Sequence, residues 1–429
     1  MSENAGRMEQ TSLALEELAL DERLLKALAE QGFDTATEVQ ARVIPQALAG
    51  KDLLVSAKTG SGKTAAFVLS MLQCFLNQPR SVQFIRALIV APTRELASQI
   101  KRAFDQMAAF TEFHCALVIG GEDFKRQLTA VRRIPQVLIA TPGRLLEYIE
   151  DDYVDFSQLD VLVVDEADRM LDMGFVDAMQ TIAGECNPDR QTWLFSATLK
   201  NRDVSRIADL LRDPARIRVD TRFHGHSQLR QQRVLADDDK HKVALIAALV
   251  EEEAANRVFV FCNTRAQVQQ VCSKLNYKKL RAAYIHGEVS QSSRKKVMEK
   301  FRQGVFQVLV ATDLAARGLD INDVDMVINH TVAPSGDDHV HRAGRTGRAG
   351  QSGTVVTLVN SMEWNLMSSI ERYLKIRFEP RKVKGLEAHY TGPKNLKKSG
   401  KMARKGKRKT KAKTKTKTKT KTNEVITIG

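Results

Sequence analysis

The chain has 429 residues, of which 43% are hydrophobic and 27% are charged, and this length predicts more than one folded domain. Five cysteines without a CxxC spacing argue against a disulfide framework and a zinc site, while the formal charge of +15 indicates an anionic partner. Because no apolar run approaches the roughly 20 residues of a membrane helix, and the N-terminus lacks the order of a secretory signal, we expect a cytoplasmic protein without a membrane partner.

The positive charge is concentrated near the C-terminus. From Arg381 onward, eighteen Lys or Arg stand against Glu387 and Glu424, a net charge of +16, so the preceding 380 residues carry about −1. Because this segment has few apolar groups and ends in a Lys-Thr repeat, we expect residues 379–429 to form a disordered basic C-terminal tail. We expect residues 1–12 to be a flexible N-terminus. Any nucleic-acid site in the folded part should be a local groove.

Short apolar, β-branched runs alternate with segments of helical spacing in the first half of the chain. This alternation predicts buried parallel strands with helices on both faces of one sheet, in a domain over residues 13–216. Two of the predicted helices cover residues 94–111 and 144–150. The predicted strands cover residues 52–57, 87–92, 116–120, 137–141, 161–165 and 192–196.

A second α/β domain is predicted after a break in the pattern. Residues 213–228 contain Pro214 and Gly225 and little apolar periodicity, so we interpret residues 217–228 as a linker. The alternation then resumes and predicts a domain over residues 229–378. Its predicted strands cover residues 258–262, 282–285, 308–311, 324–328 and 353–359.

A glycine-rich loop follows the first predicted strand and opens a helix, the context that makes a phosphate loop credible. Glycines let backbone amides curl around a β-phosphate at a helix N-terminus, a lysine reaches the β and γ oxygens, and a hydroxyl binds Mg²⁺. The loop therefore predicts a nucleoside triphosphate site. Its residues are Ala57, Lys58, Thr59, Gly60, Ser61, Gly62, Lys63 and Thr64, with Thr64 as the metal ligand.

Two acids stand at the carboxyl end of the fifth predicted strand, where open α/β sheets bind ligands. Asp165 is placed to hold Mg²⁺, and Glu166 to orient and deprotonate the attacking water. A third set of residues lies in the far domain, in the run from His341 to Arg348, whose basic residues three apart predict one helical face. Arg345 and Arg348 would reach the γ-phosphate only if the two domains close together.

These three motifs, in this order and in two similar domains, resemble the DEAD-box RNA helicases, the family named for the run Asp-Glu-Ala-Asp at residues 165–168. The resemblance covers about residues 13–378 and includes intermediate motifs at residues 92–97, 120–121, 141–144, 196–198 and 311–320. It implies two tandem RecA-like parallel-sheet domains of the α/β class. It also implies ATP and Mg²⁺ as cofactors and single-stranded or short duplex RNA as the partner.

The resemblance also implies roles for individual residues. RNA would be contacted at its backbone, because glycine amides, hydroxyls and arginines bind phosphate without reading bases. The implied RNA residues are Pro92, Thr93, Arg94, Gly120, Gly121, Thr141, Gly143, Arg144 and Thr312, with Arg265 as a further candidate. Gly318 and Asp320 would touch the nucleotide, and Ser196, Thr198 and His341 would couple the hydrolytic site to the cleft between the domains.

Adenine recognition departs from the family pattern. Phe33 and Gln40 resemble the family's Q motif, in which the glutamine amide meets the adenine edge. Ala36, however, stands where a proline is usual, and Leu15 where an upstream aromatic residue is usual. We therefore expect Gln40 to bind adenine, with altered stacking support and with ATP affinity or strictness that differs from relatives.

The sequence favours a monomeric RNA-stimulated ATPase that separates short duplexes locally. One alternative is an ATP-dependent RNA clamp or scaffold, and another is a DNA helicase with the same core. The small core resembles the bacterial members of the family, several of which assist ribosome assembly. The residues after the acidic motif, 169–174, resemble those of the large-subunit assembly type, which makes ribosomal precursor particles a candidate partner.

Overall fold

The apolar runs of the first half form one parallel sheet. The computed structural model describes residues 13–57, 60–80, 84–197, 209–219, 229–316, 324–347, 353–393 and 400. The strand order is β3-β4-β2-β5-β6-β1-β7, and every pairing is parallel. The strands are β1 (Leu53–Ser56), β2 (Ala87–Val90), β3 (Cys115–Val118), β4 (Val137–Ala140), β5 (Val161–Val164), β6 (Gln191–Ser196) and β7 (Ala215–Arg218).

Helices cover both faces of this sheet, because its central strands are buried on both sides. One apolar core lies under α1 to α4 and the other under α5 to α8. A 3₁₀ turn at Leu15–Leu18 precedes the first helix. The helices are α1 (Glu22–Glu30), α2 (Glu38–Leu48), α3 (Lys63–Asn77), α4 (Arg94–Met107), α5 (Phe124–Val131), α6 (Pro142–Glu150), α7 (Ala167–Asp172) and α8 (Val176–Gly184).

The second half repeats this architecture in a sheet of order β10-β11-β9-β12-β13-β8-β14, again with parallel pairings. The strands are β8 (Leu229–Leu235), β9 (Val258–Phe261), β10 (Ala282–Ile285), β11 (Val308–Ala311), β12 (Met326–Asn329), β13 (Gly353–Val359) and β14 (Glu379–Arg381). The helices are α9 (Asp239–Glu252), α10 (Arg265–Tyr277), α11 (Gln291–Arg302), α12 (Asp313–Ala316), α13 (Gly336–Ala343) and α14 (Trp364–Leu374). The two α/β sheets confirm the predicted fold class.

The predicted linker was wrong at its start. Strand β7 pairs with β1 and places the buried side chain of Ile217 against the first core, so residues 217–218 belong to the first sheet. The strand escaped prediction because its other residues, two of them arginines, are exposed or half-buried and leave no apolar run. Residues 220–228 of the predicted linker lie outside the described residues.

The predicted disordered tail also begins too early. Strand β14 pairs with β8, and Arg381 forms an ion pair with Glu252 at 2.7 Å. Val383 is 1% exposed in the second domain's core, and backbone amides of residues 389 and 390 bond Asp237. A three-residue strand containing a proline gives no sequence signal, so this docked segment was missed. Residues 1–12, 394–399 and 401–429 lie outside the described residues.

Within the described residues, none of the helices combines the length and the apolar content that spanning a membrane requires.

Candidate functional site

The strand order separates two groups of predicted site residues along one sheet edge. The carboxyl ends of β1, β6 and β5 are neighbours, and they carry the glycine-rich loop, Ser196 and Asp165. The ends of β2, β4 and β3 are the adjoining group, and they carry Pro92, Thr141 and Gly120. The same edge of the sheet therefore carries the predicted nucleoside triphosphate site and, next to it, the N-termini of several helices.

The described residues of the glycine-rich loop lie around a buried lysine. Gly60 and Gly62 have φ values of +80° and +92°, a region that favours glycine, and Gly62 caps α3. Lys63 is 8% exposed, and its Nζ donates to the carbonyl oxygen of Ala57 at 2.7 Å. Ser61 and Thr64 are half-buried at the start of the helix. This geometry leaves the lysine poised at the loop, where a phosphate oxygen would compete for it.

Gln40 packs directly against this loop. Its Oε1 accepts from the Thr37 amide at 2.9 Å, and a Cβ added at Gly62 would stand 2.9 Å from its Nε2. Gln40 is 8% exposed, so its side chain is packed against the loop and its amide group lies beside Gly62. Phe33 is 54% exposed and available for contact, whereas Leu15 is 3% exposed and belongs to the core.

Asp165 is a buried carboxylate, 3% exposed, whose Oδ1 accepts from the amide of Glu166 at 2.9 Å. Burial raises the pKa of Asp165 to about 6; the positive charge of Lys63 opposes this rise, and the negative charge of Glu166 reinforces it. Such a carboxylate lacks a full counter-charge. A divalent cation beside it would favour the ionised form.

Glu166 occupies the left-handed backbone region at φ +51°, as the N-cap of α7. This conformation is uncommon for a residue with a side chain and often marks a functional site. Arg169, 2% exposed, fixes the carboxylate through an ion pair of 2.9 Å between Nη1 and Oε2. The pairing and the backbone conformation together give Glu166 one orientation.

The second domain forms a cleft against α7, the helix that follows Glu166. Residues of both domains line it, and His341 Nε2 lies 4.0 Å from Asp168 Oδ2. The prediction that Arg345 continues a helical face was wrong, because α13 ends at Ala343, with Gly344 as its C-cap. Arg345 instead lies in the following turn and is 7% exposed. The cleft is lined by Arg169, Phe261, Asp313, Ala316, Asp338, His341, Arg342 and Arg345.

Arg342 is the buried anchor of this part of the second domain and is 1% exposed. It binds Asp313 with both arms of the guanidinium, at 2.6 and 2.7 Å. Further bonds reach Asn329 Oδ1, the Thr331 carbonyl and Asn263 Oδ1 at 3.2, 2.7 and 2.8 Å. The network ties α13 to the ends of three strands and positions His341 and Arg345.

On the other half of the first sheet edge, Arg94 lies on the glycine pair. A Cβ added at Gly121 would stand 2.0 Å from Arg94 Nη1, and one at Gly120 would stand 3.2 Å from Nη2. A side chain at Gly121 would displace the guanidinium from this position, and the φ of +72° at Gly121 also favours glycine. Thr93 caps α4 by accepting from the Leu96 amide. The structure thus brings these predicted RNA residues into direct contact.

The remaining predicted RNA residues are more varied. Thr141 stands at the N-cap position of α6 and is 9% exposed, and Gly143 has open space around it. Arg144 pairs with Glu147 at 3.2 Å, so its guanidinium is already engaged. Thr312, 9% exposed, accepts from the Ala315 amide, and Arg265 pairs with Glu288. The predicted residues outside the described part of the chain are Lys58, Thr59, Thr198, Gly318, Asp320 and Arg348.

Two ion pairs between the domains escaped sequence analysis. Arg294 Nη1 binds Glu95 Oε1 at 2.9 Å, with side chains only 14% and 15% exposed, and Lys295 binds Glu122 at 3.0 Å. Glu95 follows Arg94, and Glu122 follows the glycine pair, so both pairs border the predicted RNA residues. Sequence alone gives no sign of such contacts, since the partners lie more than 170 residues apart.

Family models and known proteins match the chain over most of its length. The model for the DEAD/DEAH box helicases matches residues 37–207, and that for the helicase conserved C-terminal domain matches residues 240–350. The ATP-dependent RNA helicase SrmB of Haemophilus influenzae is 38% identical over 382 residues, covering 89% of this chain and 87% of that protein. The ATP-dependent rRNA helicase rrp-3 of Neurospora crassa is 37% identical, covering 86% and 71%.

A solved structure aligns with both domains at once. The chain of S. cerevisiae Dbp5 bound to RNA and ADP BeF3 matches with a TM-score of 0.79 at 26% identity, covering 86% of this chain and 96% of that one. A TM-score over two domains depends on their relative placement. The arrangement of the two sheets here is therefore similar to that of the RNA-bound relative.

Proposed function

We propose that this chain, which belongs to the DEAD/DEAH box helicase family, is an ATP-dependent RNA helicase that couples RNA-stimulated ATP hydrolysis to local, non-processive duplex separation. The observation that carries the proposal is the cleft in which Asp168 and Arg169, the ion-pair partner of Glu166, meet His341 and Arg345 of the second domain. Hydrolysis at such a site depends on domain closure. Closure on RNA would link turnover to strand separation.

Each part of the nucleotide site has a proposed role. The amides of residues 57–62 and the Nζ of Lys63 bind the β and γ phosphates, and Gln40 and Phe33 meet the adenine. Glu166, held by Arg169, orients and deprotonates the attacking water. Arg345 stabilises charge that develops on the transferred phosphoryl group, as arginine fingers do. Thr64 and Asp165 would hold Mg²⁺, which would neutralise phosphate charge.

The buried carboxylate of Asp165 fits this metal role and predicts a pH dependence. Because its pKa is raised to about 6, the group is ionised above that pH and becomes a neutral acid below it. We expect the affinity for Mg-ATP, measured by titration calorimetry, to fall up to about tenfold for each pH unit below 6. The phosphates of ATP also titrate in this range. In the Asp165→Asn protein only the titration of the ATP phosphates remains. If affinity fell with pH equally in this variant and in the wild type, the proposed role of Asp165 as a metal ligand would be contradicted.

The proposed RNA path crosses Arg94, the glycine pair and the start of α6, and it continues onto Thr312 of the second domain. Its groups are guanidinium, hydroxyl and backbone amides, which bind phosphate and 2′-hydroxyl and do not read bases. The groove is therefore selective for the RNA backbone and indifferent to sequence. The groove fits a single RNA strand, which a duplex releases when one of its strands is bent away from the other.

Domain closure should depend on the ion pair between Arg294 and Glu95. Arg294→Glu places two like charges in a half-buried contact, so we expect RNA-stimulated ATPase activity to fall at least about tenfold. Restoring opposite charges with Glu95→Arg in the same chain should recover much of the activity. Steady-state ATPase assays at saturating ATP measure both changes. Equal loss in the single and double variants would show that the pair does not hold the closed form.

The proposed substrate is ribosomal RNA in precursor particles. The name of the N. crassa relative assigns rRNA to that protein, and the backbone contacts proposed here do not choose among RNAs. Crosslinking the Glu166→Gln protein to cellular RNA, followed by sequencing of the bound RNA, tests the assignment. Enrichment of precursor rRNA supports it, and a spread over messenger RNAs overturns it.

An RNA clamp that uses ATP without strand separation is the second candidate. The net charge of +16 from residue 381 onward favours it, since lysine-rich arms bind phosphate without sequence preference. A duplex-separation assay distinguishes the two functions, because a clamp would bind RNA with ATP and leave the duplex intact.

A further inference from the structure

A second concentration of positive charge lies inside the folded part of the chain. Residues 265–302 contain ten Lys or Arg against Glu288 and Glu299, a net charge of +8. The whole of residues 1–380 carries about −1, so the rest of the folded part is acidic. Such a local excess of one sign attracts an oppositely charged partner.

These residues surround the free edge of the second sheet. Strand β10 is the outermost strand on that side, with α10 and α11 packed near it. We define the basic edge as Lys278, Lys279, Arg281, Lys296 and Lys300, all of which are exposed. Within the part of the chain that the structure describes, none of these five side chains forms an ion pair. Their charge is therefore available to a partner.

Two tyrosines are exposed on the same edge. Tyr277, the last residue of α10, is 91% exposed, and Tyr284 on β10 is 39% exposed. Aromatic rings interleaved with lysines are the pattern by which proteins hold single-stranded nucleic acid, with bases stacked on the rings and phosphates on the cations. An acidic protein surface would be matched by the lysines but would make no such use of the rings.

The basic edge is continuous with the proposed RNA path. The first turn of α11 holds Arg294 and Lys295, which bind Glu95 and Glu122 beside the glycine pair. From there α11 runs away from the domain boundary for roughly 18 Å, carrying Lys296 and Lys300 on one face. Arg265 pairs with Glu288 at the same end of the sheet, after the carboxyl ends of β9 and β10. A strand leaving the cleft beside α11 meets these lysines directly.

We propose that the basic edge is an accessory site for single-stranded RNA, which takes the segment that continues out of the cleft. This inference rests on the proposed function. The lysines hold phosphates, and Tyr277 stacks on an unpaired base. The site lengthens the strand that the enzyme grips and adds affinity without base recognition.

The test compares RNAs of two lengths with full-length variants. One RNA is just long enough to give full ATPase stimulation, and the other extends beyond it at both ends. We expect Lys296→Gln/Lys300→Gln to bind the short RNA as the wild type does and to bind the long RNA about tenfold more weakly. The salt dependence for the long RNA should be shallower by about 1.4 in log–log slope, since each phosphate contact of a single strand contributes about 0.7.

The matched control removes the same charge elsewhere. Lys51→Gln/Lys240→Gln alters two exposed lysines. Lys240 lies in the first turn of α9, the helix after β8, and β8 is five strand positions or roughly 24 Å from β10. It should bind both RNAs as the wild type does. Tyr277→Ala should weaken binding of the long RNA alone by about fivefold or more.

The accessory site would be overturned if the long RNA bound the wild type, the Lys296→Gln/Lys300→Gln protein and the Tyr277→Ala protein with equal affinity. That outcome would favour a protein partner for this surface. A matching loss in the control pair would also overturn it, because the effect would then be general charge. Both results are distinguishable from failure of the proposed function, in which the wild type shows no RNA-stimulated ATPase at all.

Discussion

Replacing Glu166 by Gln should reduce ATP turnover by about 10²- to 10⁴-fold while leaving ATP and RNA binding in place. The amide is nearly isosteric and cannot accept the proton of the attacking water. The cleft should therefore close on ATP and RNA and fail to reopen. Steady-state ATPase assays measure the loss of turnover. Fluorescence anisotropy of labelled RNA, with and without ATP, measures the RNA binding that is retained.

Glu185→Gln is the matched control, because Glu185 is exposed at the end of α8 and the charge change is the same. It should behave as the wild type. Undiminished ATPase activity in Glu166→Gln would remove the base role. A wild type that already holds RNA with ATP as tightly as this variant, without turnover, would favour the clamp.

Replacing Arg342 by Met should destabilise the second domain by about 3 kcal/mol or more. The change leaves the Asp313 carboxylate and three further acceptors of a buried network without their donor. Urea unfolding followed by tryptophan fluorescence gives the free energy of unfolding. Trp193 lies in the first domain and Trp364 in the second, so a Trp193→Phe background isolates the signal of the second domain.

Two companion measurements separate a charge effect from a packing effect at Arg342. Adding Asp313→Asn to the Met variant removes the stranded charge and should recover part of the stability. ATPase activity should fall with Arg342→Met even at temperatures where the domain stays folded, because the network positions Arg345. A free energy of unfolding equal to that of the wild type would show that the network contributes nothing.

The strands that could be predicted from the sequence are those formed by continuous runs of apolar residues. Strand β8 was missed, because its residues Gln231 and Gln232 are polar yet 6% and 2% exposed. Their partners are His339 and Arg381, more than 100 residues away, at 2.8 and 3.1 Å. Polar residues enter a sheet when distant groups satisfy them, and no local pattern reports that.

The parts of the site that are formed by consecutive residues could be predicted from the sequence. The parts that depend on contact between the two domains could not. The glycine-rich loop and the pair Asp165–Glu166 stand on consecutive residues whose spacing carries the chemistry. The contact of Arg94 with Gly121, at a φ of +72°, explains the glycine at that position, which the sequence could not show. The bond of Arg294 to Glu95 exists only because two separately folded sheets meet, so it required the structure.

The most direct test of the account compares ATP hydrolysis by the full chain alone, with single-stranded RNA, and with DNA of the same sequence. We expect strong stimulation by RNA and little by DNA, since 2′-hydroxyl contacts are what distinguish the two backbones. The Arg345→Ala protein should bind ATP yet lose the stimulated rate. Equal stimulation by RNA and DNA, or a stimulated rate that survives Arg345→Ala, would contradict an RNA-dependent site completed by the second domain.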